Sequence, residues 1–305
     1  MPTRLSTIFH SPALALTLAT LFWSGNFIAG RALRHHIDPV TLNFVRWLIA
    51  LVLFVPLVWH NLQKSIPVVR REWRLIFGLG ATGIAAFHTL TYLALQKTTA
   101  TNALLMLALT PIVILIGAAL LHREWPDSRQ LAGSLVSIFG AVVLITRGDF
   151  TTIHVGDDLV GELWMLAAIV VWAAYSLLLR QRPVDLPQDV ALAASVAVAL
   201  VLLLPLLLFS SINLTAFKSP AALAGIGYIA VFASVIGFLL WSYGVSRLGP
   251  VRSGVFINLM PVFGAALAVT ILGERLALSQ IAGGVIVLSG IALVEWGQSR
   301  ASGQH

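Results

Sequence analysis

Ten long apolar segments, joined by short polar stretches, make up most of this sequence. An α-helix needs about 20 mostly apolar residues to cross the roughly 30 Å hydrocarbon core of a bilayer, and each segment is close to that length. Strands of a membrane β-barrel would be shorter and would alternate polar with apolar residues, which these segments do not. We therefore predict an all-α integral membrane protein with ten transmembrane helices. They cover about 11–31, 39–59, 73–95, 99–122, 129–147, 159–180, 189–211, 220–246, 250–272 and 279–297.

The scarcity of charged residues supports this prediction. Only 10% of the 305 residues are charged and 58% are hydrophobic, whereas roughly 25% are charged in an average soluble domain. So few charges cannot cover the surface of a soluble protein of this length. The composition therefore excludes an ordinary soluble enzyme, a disordered chain and a collagen-like repeat. Cysteine is absent, which excludes disulfides and thiolate chemistry, and we expect neither a metal site nor a cofactor.

The positive charges are distributed unevenly between the two sides of the predicted membrane protein. If the N-terminus lies inside, the inner joins hold 12 lysines and arginines and the outer joins hold 6. Positive residues favour the cytoplasmic side, so we predict a multi-pass plasma-membrane protein with both termini in the cytoplasm. In a bacterium this is the inner membrane. The net charge of +7 is then explained without a nucleic-acid partner. The inner set is Arg4, Lys64, Arg70, Arg71, Arg74, Arg123, Arg129, Arg180, Arg182, Arg247, Arg252 and Arg300.

The two halves of the chain resemble each other. A shift of 150 residues, or of 149 near the start, superposes residues of the same type. Each half holds five segments, and because five is odd, the second half enters the membrane inverted. Inverted repeats build transporters with a substrate site near the midplane. We predict two five-helix repeats, 1–153 and 154–305, around a central cavity. Matching pairs include Trp23 with Trp172, Arg31 with Arg180, Pro111 with Pro261, Glu124 with Glu274, Gly133 with Gly283 and Gly140 with Gly290.

Four short motifs carry a family resemblance. They are Phe22-Trp23-Ser24-Gly25-Asn26-Phe27, Asn43-Phe44-Val45-Arg46-Trp47, Thr110-Pro111 ahead of Glu124, and Met260-Pro261 ahead of Gly273-Glu274-Arg275. With these motifs, residues 13–146 and 160–295 resemble the EamA family of the drug/metabolite transporter superfamily, and most closely its YddG-type aromatic amino-acid exporters. The resemblance implies a secondary transporter that exports aromatic or other amino acids by alternating access. It also leaves open a broad drug and metabolite efflux transporter of the same family.

One charged residue, Arg46, lies deep inside a predicted span. Ionisable residues in the bilayer are costly and are candidates for functional sites. The planar donor fork of Arg46 suits a substrate carboxylate. The side chain could instead bond helix-end carbonyls or extend to the interface as a structural anchor. The repeat pairs Arg46 with Ser195, so the symmetry of the fold does not require this charge.

A polar stripe runs along the third segment. His88, Tyr92 and Gln96 are spaced four residues apart and therefore lie on one helix face. We expect that face to point into the bundle interior or a water-filled cavity. His88 could then hydrogen-bond the substrate or carry a proton. Alternatively, it forms only an interhelical hydrogen bond.

Aromatic residues recur at related positions of the first and sixth segments. Trp23 and Asn26 in the first match Trp172 and Tyr175 in the sixth, and each pair lies on one helix face. Tryptophan is common at membrane interfaces, but these residues and Trp241 lie deeper. Deep aromatic walls suit flat or apolar solutes through stacking, so we predict that they line the substrate pathway. Further pathway candidates are Asn102, Met106 and Asn258.

Proline lies near the middle of the fourth and ninth segments, as Pro111 and Pro261. A proline inside a helix removes a hydrogen bond and kinks the helix. The two kinks would act as flex points for alternating access or as static bends that shape the cavity. Glycines seven residues apart in the fifth and tenth segments predict close packing, so we interpret those helices as peripheral braces. These glycines are Gly133, Gly140, Gly283, Gly290 and Gly297.

Two other classes of membrane protein fit this sequence less well. A lipid-modifying integral membrane enzyme needs clustered acid, base or metal groups at one face, and no such cluster stands out. A channel usually assembles around an axis and lacks an inverted repeat. The acidic residues lie near segment ends, which disfavours a proton antiporter built on a central acid. The expected partners are a small-molecule substrate and the lipid bilayer. The oligomeric state stays open, and a monomer is compatible with the sequence.

Overall fold

The computed structural model describes residues 11–33, 36–97, 103, 106–123, 125–146, 148–152, 159–210, 217, 219–272 and 277–299. The regular structure in these residues is helical, as predicted. We number the helices along the chain. They are α1 (Pro12–Leu33), α2 (Pro39–Arg71), α3 (Trp73–Lys97), α4 (Thr110–His122), α5 (Ser128–Thr146), α6 (Leu159–Arg180), α7 (Gln188–Leu207), α8 (Pro220–Leu248), α9 (250–272, in three parts) and α10 (Leu278–Ser299).

Three of these helices change their winding along their length. α3 contains the π-helical stretch Gly80–Ala86, and α8 contains the π-helical stretch Ile229–Ile236. In α9, the 3₁₀ turn Phe256–Asn258 separates Pro250–Val255 from Leu259–Leu272. π-Helical stretches are rare and are found frequently at functional sites. The apolar pattern of the sequence does not distinguish them from a continuous α-helix, because the residues stay apolar through the change.

Within the described residues, six helices are long and apolar enough to cross a membrane: α1, α2, α3, α6, α7 and α8. Shorter apolar helices occur within α4, α5 and α10. The count of ten spans therefore stays a prediction. The count covers the described residues alone, in which a turn at 108–109 precedes α4 and a 3₁₀ turn interrupts α9.

The outer surface of the helix bundle is apolar, and its interior holds polar side chains. Leu57, Leu120 and Val201 are 79%, 73% and 65% exposed. In contrast, Asn43 and Arg46 are completely buried. A protein dissolved in water places its charged groups outside. In hydrocarbon an exposed leucine costs nothing and the polar groups must find partners inside, so this distribution is that of a membrane protein.

α2 begins at a capping residue followed by proline. Oδ1 of Asp38 accepts hydrogen bonds from the backbone N–H groups of Val40 and Thr41, both at 3.0 Å. Pro39 occupies the first turn, where its missing N–H would have had no helical partner. The cap fixes the start of the helix that carries Arg46 two turns further on.

α2 also extends further than predicted. The apolar segment was expected to end near residue 59, but the helix continues to Arg71. Its last turns pack Leu62 and Val68 against Leu186 and Val190 at the start of α7. Mean hydropathy does not reveal this extension, because the added turns mix apolar residues with charged and polar ones.

The sequence places Pro111 and Pro261 in the middle of continuous helices, but the structure differs. Both prolines lie in the first turn of an α-helical stretch. Pro111 is the second residue of α4, and Pro261 is the third residue of Leu259–Leu272. The Thr110 hydroxyl donates a hydrogen bond to the carbonyl oxygen of Leu107 at 2.6 Å. In a continuous helix that oxygen would accept from residue 111, where proline has no N–H. Flexing at these prolines remains a prediction.

α5 and α10 pack closely through glycines. A Cβ atom on Gly133 would lie 2.7 Å from the carbonyl oxygen of Gly290, and one on Gly140 would lie 2.8 Å from that of Gly283. A side chain at either position would therefore push the two backbones apart. Small residues at such spacing allow close helix packing in membranes. The predicted close packing of the fifth and tenth segments is confirmed.

Helices of the first predicted half pack against helices of the second. α1 contacts α8 and α9, while α6 contacts α3 and α4. α2 contacts α7, α8 and α3. The centre of the bundle is therefore built jointly by α1, α2, α3, α6 and α8, which positions the site described next.

Candidate functional site

A buried arginine lies where four helices meet. Arg46 of α2 is 0% exposed, and its Nε donates a hydrogen bond to Oγ of Ser234 in α8 at 2.8 Å. Its Nη1 donates to the hydroxyl of Tyr92 in α3 at 2.8 Å and to Oδ1 of Asn26 in α1 at 3.2 Å. The Ser234 hydroxyl donates in turn to the carbonyl oxygen of Ile229, within the π-helical stretch, at 2.8 Å. The guanidinium therefore links α2 to α1, α3 and α8.

No acidic side chain in the described part of the chain neutralises this arginine. The ion pairs found there join Arg71 to Glu72 and to Asp185, at the surface. The hydrogen-bond partners of Arg46 are neutral, and its Nη2 atom is buried with no partner. Taking a charge out of water costs several kcal/mol unless the charge is compensated. The guanidinium is thus held in place but is electrostatically unbalanced.

Three aromatic side chains form a group around the guanidinium. The central carbon of the Arg46 guanidinium is 5.3 Å from the ring centre of Trp47. Trp47 and His88 stack with ring centres 5.9 Å apart, and His88 and Tyr92 stack at 6.3 Å. Nε1 of Trp47 and Nε2 of His88 are buried without a hydrogen-bond partner. Three unpartnered nitrogen atoms therefore belong to neighbouring side chains, which we call the arginine cluster (Arg46, Trp47, His88 and Tyr92).

The predicted pathway tryptophans meet in a second group. Ring centres lie 5.1 Å apart for Trp23 and Trp172, 5.2 Å for Trp23 and Trp241, and 5.6 Å for Trp172 and Trp241. Tyr175 lies 5.1 Å from Trp172. All four side chains are buried. This tryptophan cluster takes residues from α1, α6 and α8, so both predicted halves contribute to it.

Phe238 of α8 connects the two clusters. Its ring centre lies 4.9 Å from Trp47 and 5.7 Å from His88 on one side. On the other side it lies 5.6 Å from Trp23 and 5.7 Å from Trp172. A cation beside a large aromatic surface matches a solute with an anionic group and an apolar or aromatic body.

Aromatic rings fill the middle of the bundle, where a central cavity was expected. A cavity does lie beside Tyr175, where Ser195, Ser242 and Gln188 supply polar atoms among apolar side chains. Ser195 is the residue that the repeat pairs with Arg46. The two clusters are therefore closed in this conformation.

Other predicted pathway residues lie away from the two clusters. Gln96 is exposed at the end of α3. Of the polar stripe on that helix, only His88 and Tyr92 therefore lie in the interior. Met106 is half-buried against the main core. Nδ2 of Asn258 donates to Oγ of Ser137 at 3.0 Å, which joins α9 to α5. Asn102 lies outside the described residues.

Four residues at this site were not among the predicted ones: Asn43, Trp47, Ser234 and Phe238. Nδ2 of Asn43 donates to the carbonyl oxygens of Ile84 and Ala85, both at 3.2 Å, and to the hydroxyl of Thr89 at 3.0 Å. It thereby holds the π-helical stretch of α3 against α2. A polar side chain three residues before Arg46, on the same helix face, was the signal that could have identified Asn43.

The family model for EamA-like transporters matches this chain twice, over residues 10–146 and 159–296. The chain belongs to the EamA-like transporter family. The two matches of this EamA-like transporter fall within the two halves that the internal repeat predicts. The tryptophan cluster takes residues from both matched stretches, and the arginine cluster lies in the first and is joined to the second by the Arg46–Ser234 hydrogen bond.

Relatives of this EamA-like transporter carry transporter names. An uncharacterized transporter of Archaeoglobus fulgidus is 26% identical over 92% of this chain and 96% of its own length. The "Probable amino-acid metabolite efflux pump" of Salmonella typhimurium is 27% identical over 92% and 93%. The "Probable terminal-alkyne amino-acid exporter" of Streptantibioticus cattleyicolor is 30% identical over 73% of each chain. A protein of known crystal structure, whose sequence is 22% identical to this one, shares the fold. The TM-score is 0.77, and the match covers 96% of this chain and 99% of that one.

Proposed function

We propose that this EamA-like transporter exports amino acids or related small metabolites by alternating access. The observation that carries the proposal is the unbalanced charge of Arg46 beside Trp47, with Phe238 linking Trp47 to the tryptophan cluster. An amino acid offers a carboxylate for the cation and, in its aromatic members, a flat apolar body for the rings. Two relatives are named as exporters of amino acids or amino-acid metabolites, which agrees with this substrate class.

Mirrored contacts support ten spans in two inverted five-helix repeats. Gly133 packs on Gly290 and Gly140 packs on Gly283, and a shift of 150 residues exchanges these two contacts. The π-helical stretches of α3 and α8 also fall at equivalent positions of the two halves. Two related halves can form two similar packings, each open to one side of the membrane, which is the basis of alternating access.

Contacts at the two ends of the bundle agree with the predicted grouping of the connections into two sides, and the charge distribution is what favours placing the termini in the cytoplasm. Nη2 of Arg71 donates to Asp185 at 2.9 Å and joins the connections after α2 and α6, both predicted to be cytoplasmic. The hydroxyls of Thr41 and Ser210 lie 3.2 Å apart and join regions that are both predicted to be outside. We propose that both termini are cytoplasmic and that the protein lies in the inner membrane if its source is bacterial.

Broad efflux of drugs and metabolites is the second candidate function. The tryptophan cluster favours it, because stacking on aromatic rings accepts many flat solutes. Such a transporter would accept apolar cations and neutral drugs as readily as amino acids. The choice of solutes in a flux experiment therefore separates the two functions.

The test is flux in proteoliposomes that contain the purified full-length chain. Labelled L-tryptophan and L-phenylalanine should show saturable transport, with competition tested across amino acids, drugs and sugars. Trp23→Ala should reduce this flux by about tenfold, because it removes a buried aromatic contact surface. Trp125→Ala is the matched control, since Trp125 is 79% exposed. Saturable flux of apolar cations and neutral drugs at rates comparable to those of amino acids would favour the second function, and folded protein that moves none of these solutes would refute both.

A further inference from the structure

We infer that Arg46 binds the carboxylate of the transported substrate, with Trp47 and His88 beside it. The inference rests on the proposed function and deepens it by naming the substrate class. That class is an organic monocarboxylate with an aromatic or other apolar body. It includes the aromatic amino acids but does not require an amino group.

The hydrogen bonds of Arg46 leave one side of the guanidinium free. A guanidinium carries five N–H donors, one on Nε and two on each terminal nitrogen. Ser234 accepts from Nε, and both Tyr92 and Asn26 accept from Nη1. The two donors on Nη2 remain, on a buried atom without a partner. The network therefore orients the arginine and keeps a pair of donors for another group.

The neighbouring side chains add unpartnered polar atoms close to the guanidinium, because the Trp47 ring centre lies 5.3 Å from its central carbon. The Trp47 indole N–H can only donate, and it has no acceptor. The unpartnered Nε2 of His88 belongs to a ring that stacks on Trp47 at 5.9 Å. A carboxylate accepts about four hydrogen bonds, so it can satisfy the remaining donors of Arg46 together with that of Trp47. It also supplies the negative charge that this part of the molecule lacks.

The aromatic residues define where the rest of the substrate would lie. Phe238 separates Trp47 from Trp23, with ring centres at 4.9 and 5.6 Å. A substrate whose carboxylate meets Arg46 would therefore place its apolar body towards Phe238 and the tryptophan cluster. This placement needs the rings to separate, as they would in an open conformation during alternating access.

The number of cations limits the charge of the substrate. Ser195 occupies the position that the repeat pairs with Arg46, so at this position one half supplies a charge and the other does not. Arg46 is the one arginine of the arginine cluster, and it balances one negative charge. A phosphate carries more charge and binds several cations, so this site suits a monocarboxylate and fixes its orientation across the two halves.

A competition experiment on the unaltered protein tests the inference directly. Proteoliposomes with the full chain and labelled L-phenylalanine would be challenged with L-phenylalanine, 3-phenylpropionate, phenethylamine and L-phenylalaninamide. The two carboxylates should inhibit at concentrations about tenfold or more below those of the other two compounds, because charge-assisted hydrogen bonds are the stronger ones. If phenethylamine competes as well as 3-phenylpropionate, the inference is overturned while transport stands. If labelled L-phenylalanine and every other amino acid fail to move, the proposed function falls and takes the inference with it.

Variants separate binding from a purely structural role of Arg46. Arg46→Gln should abolish the preference for carboxylates, Arg46→Lys should keep part of it, and Arg71→Gln should leave it unchanged as a surface control. A structural anchor would change the amount of folded protein without changing the ratio between carboxylate and amide. Should Arg46→Gln not fold, Trp47→Phe removes only a donor and should reduce the preference severalfold. Thermal stabilisation of the detergent-solubilised protein by 3-phenylpropionate, but not by phenethylamine, gives the same answer without flux, and equal stabilisation by both would overturn the inference.

Discussion

Trp23 and Trp172 pack edge to face, with ring centres 5.1 Å apart and planes at 89°, yet only one of the two indole N–H groups is hydrogen-bonded. Nε1 of Trp23 donates to the carbonyl oxygen of Ala233, in the π-helical stretch of α8, at 2.9 Å. Nε1 of Trp172 is buried without a partner. The repeat pairs these two tryptophans, so equivalent side chains of the two halves have different hydrogen bonding in this conformation. Alternating access would exchange their environments in the opposite conformation.

This asymmetry predicts unequal effects of two identical substitutions. Trp23→Phe should lower the free energy of unfolding by about 1 kcal/mol more than Trp172→Phe, because only the first removes a hydrogen bond and frees a buried carbonyl. Both substitutions remove a similar ring area, so each serves as the control for the other. Thermal unfolding of the purified protein in detergent measures the difference. Equal losses would show that the Trp23 hydrogen bond does not stabilise this conformation.

The contact between α5 and α10 predicts a strong effect of one added methyl group. Gly140→Ala would place a Cβ 2.6 Å from the backbone nitrogen of Val287 and 2.8 Å from the oxygen of Gly283. Overpacking of this kind costs about 1–3 kcal/mol, so we expect a lower melting temperature. Gly227→Ala is the control, because no atom lies within 4 Å of a Cβ at that position. If both variants melted together, the close approach of α5 and α10 would not contribute to stability.

Asn43 predicts how strongly α2 holds the π-helical stretch of α3. Asn43→Ala should lower the free energy of unfolding by about 1–3 kcal/mol, because it leaves the buried carbonyls of Ile84 and Ala85 without the amide donor. Asn61→Ala is a control on the same helix, since Asn61 is exposed and its amide meets only Asp189 at the surface. Melting curves of the two variants give the comparison. A control that is as destabilised as Asn43→Ala would contradict a specific role of Asn43.

The orientation can be tested by chemical labelling, because the chain contains no cysteine. Arg71→Cys and Asp185→Cys should react with a membrane-impermeant maleimide only from the cytoplasmic side. Ser210→Cys should react only from the opposite side. Right-side-out and inverted membrane vesicles provide the two conditions. Labelling of Arg71→Cys and Ser210→Cys from the same side would refute the proposed topology.

Much of the fold could be predicted from the sequence because it depends on local chain composition. The helical segments follow from stretches whose residues are apolar enough for hydrocarbon, and the glycine spacing of α5 and α10 predicted their close packing. The winding of the helices and the positions of their ends were harder to predict from the sequence. The π-helical stretches and the extension of α2 to Arg71 depend on which neighbours accept or donate hydrogen bonds and on which faces pack.

The same holds for the candidate site: several of its residues could be predicted from the sequence, but their contacts could not. A deep arginine and a deep tryptophan stand out from the sequence alone, because a polar or bulky aromatic residue within an apolar segment is visible at any position. Their partners are not visible. Ser234 lies 188 residues from Arg46, and Ala233 lies 210 residues from Trp23. The sequence by itself determined that the chain enters a membrane as helices, because the transfer of each segment into hydrocarbon depends on that segment's own residues. Only the tertiary structure decided that Arg46 keeps two unpartnered donors beside an aromatic cluster, because the balance of a buried charge depends on which distant helices meet around it.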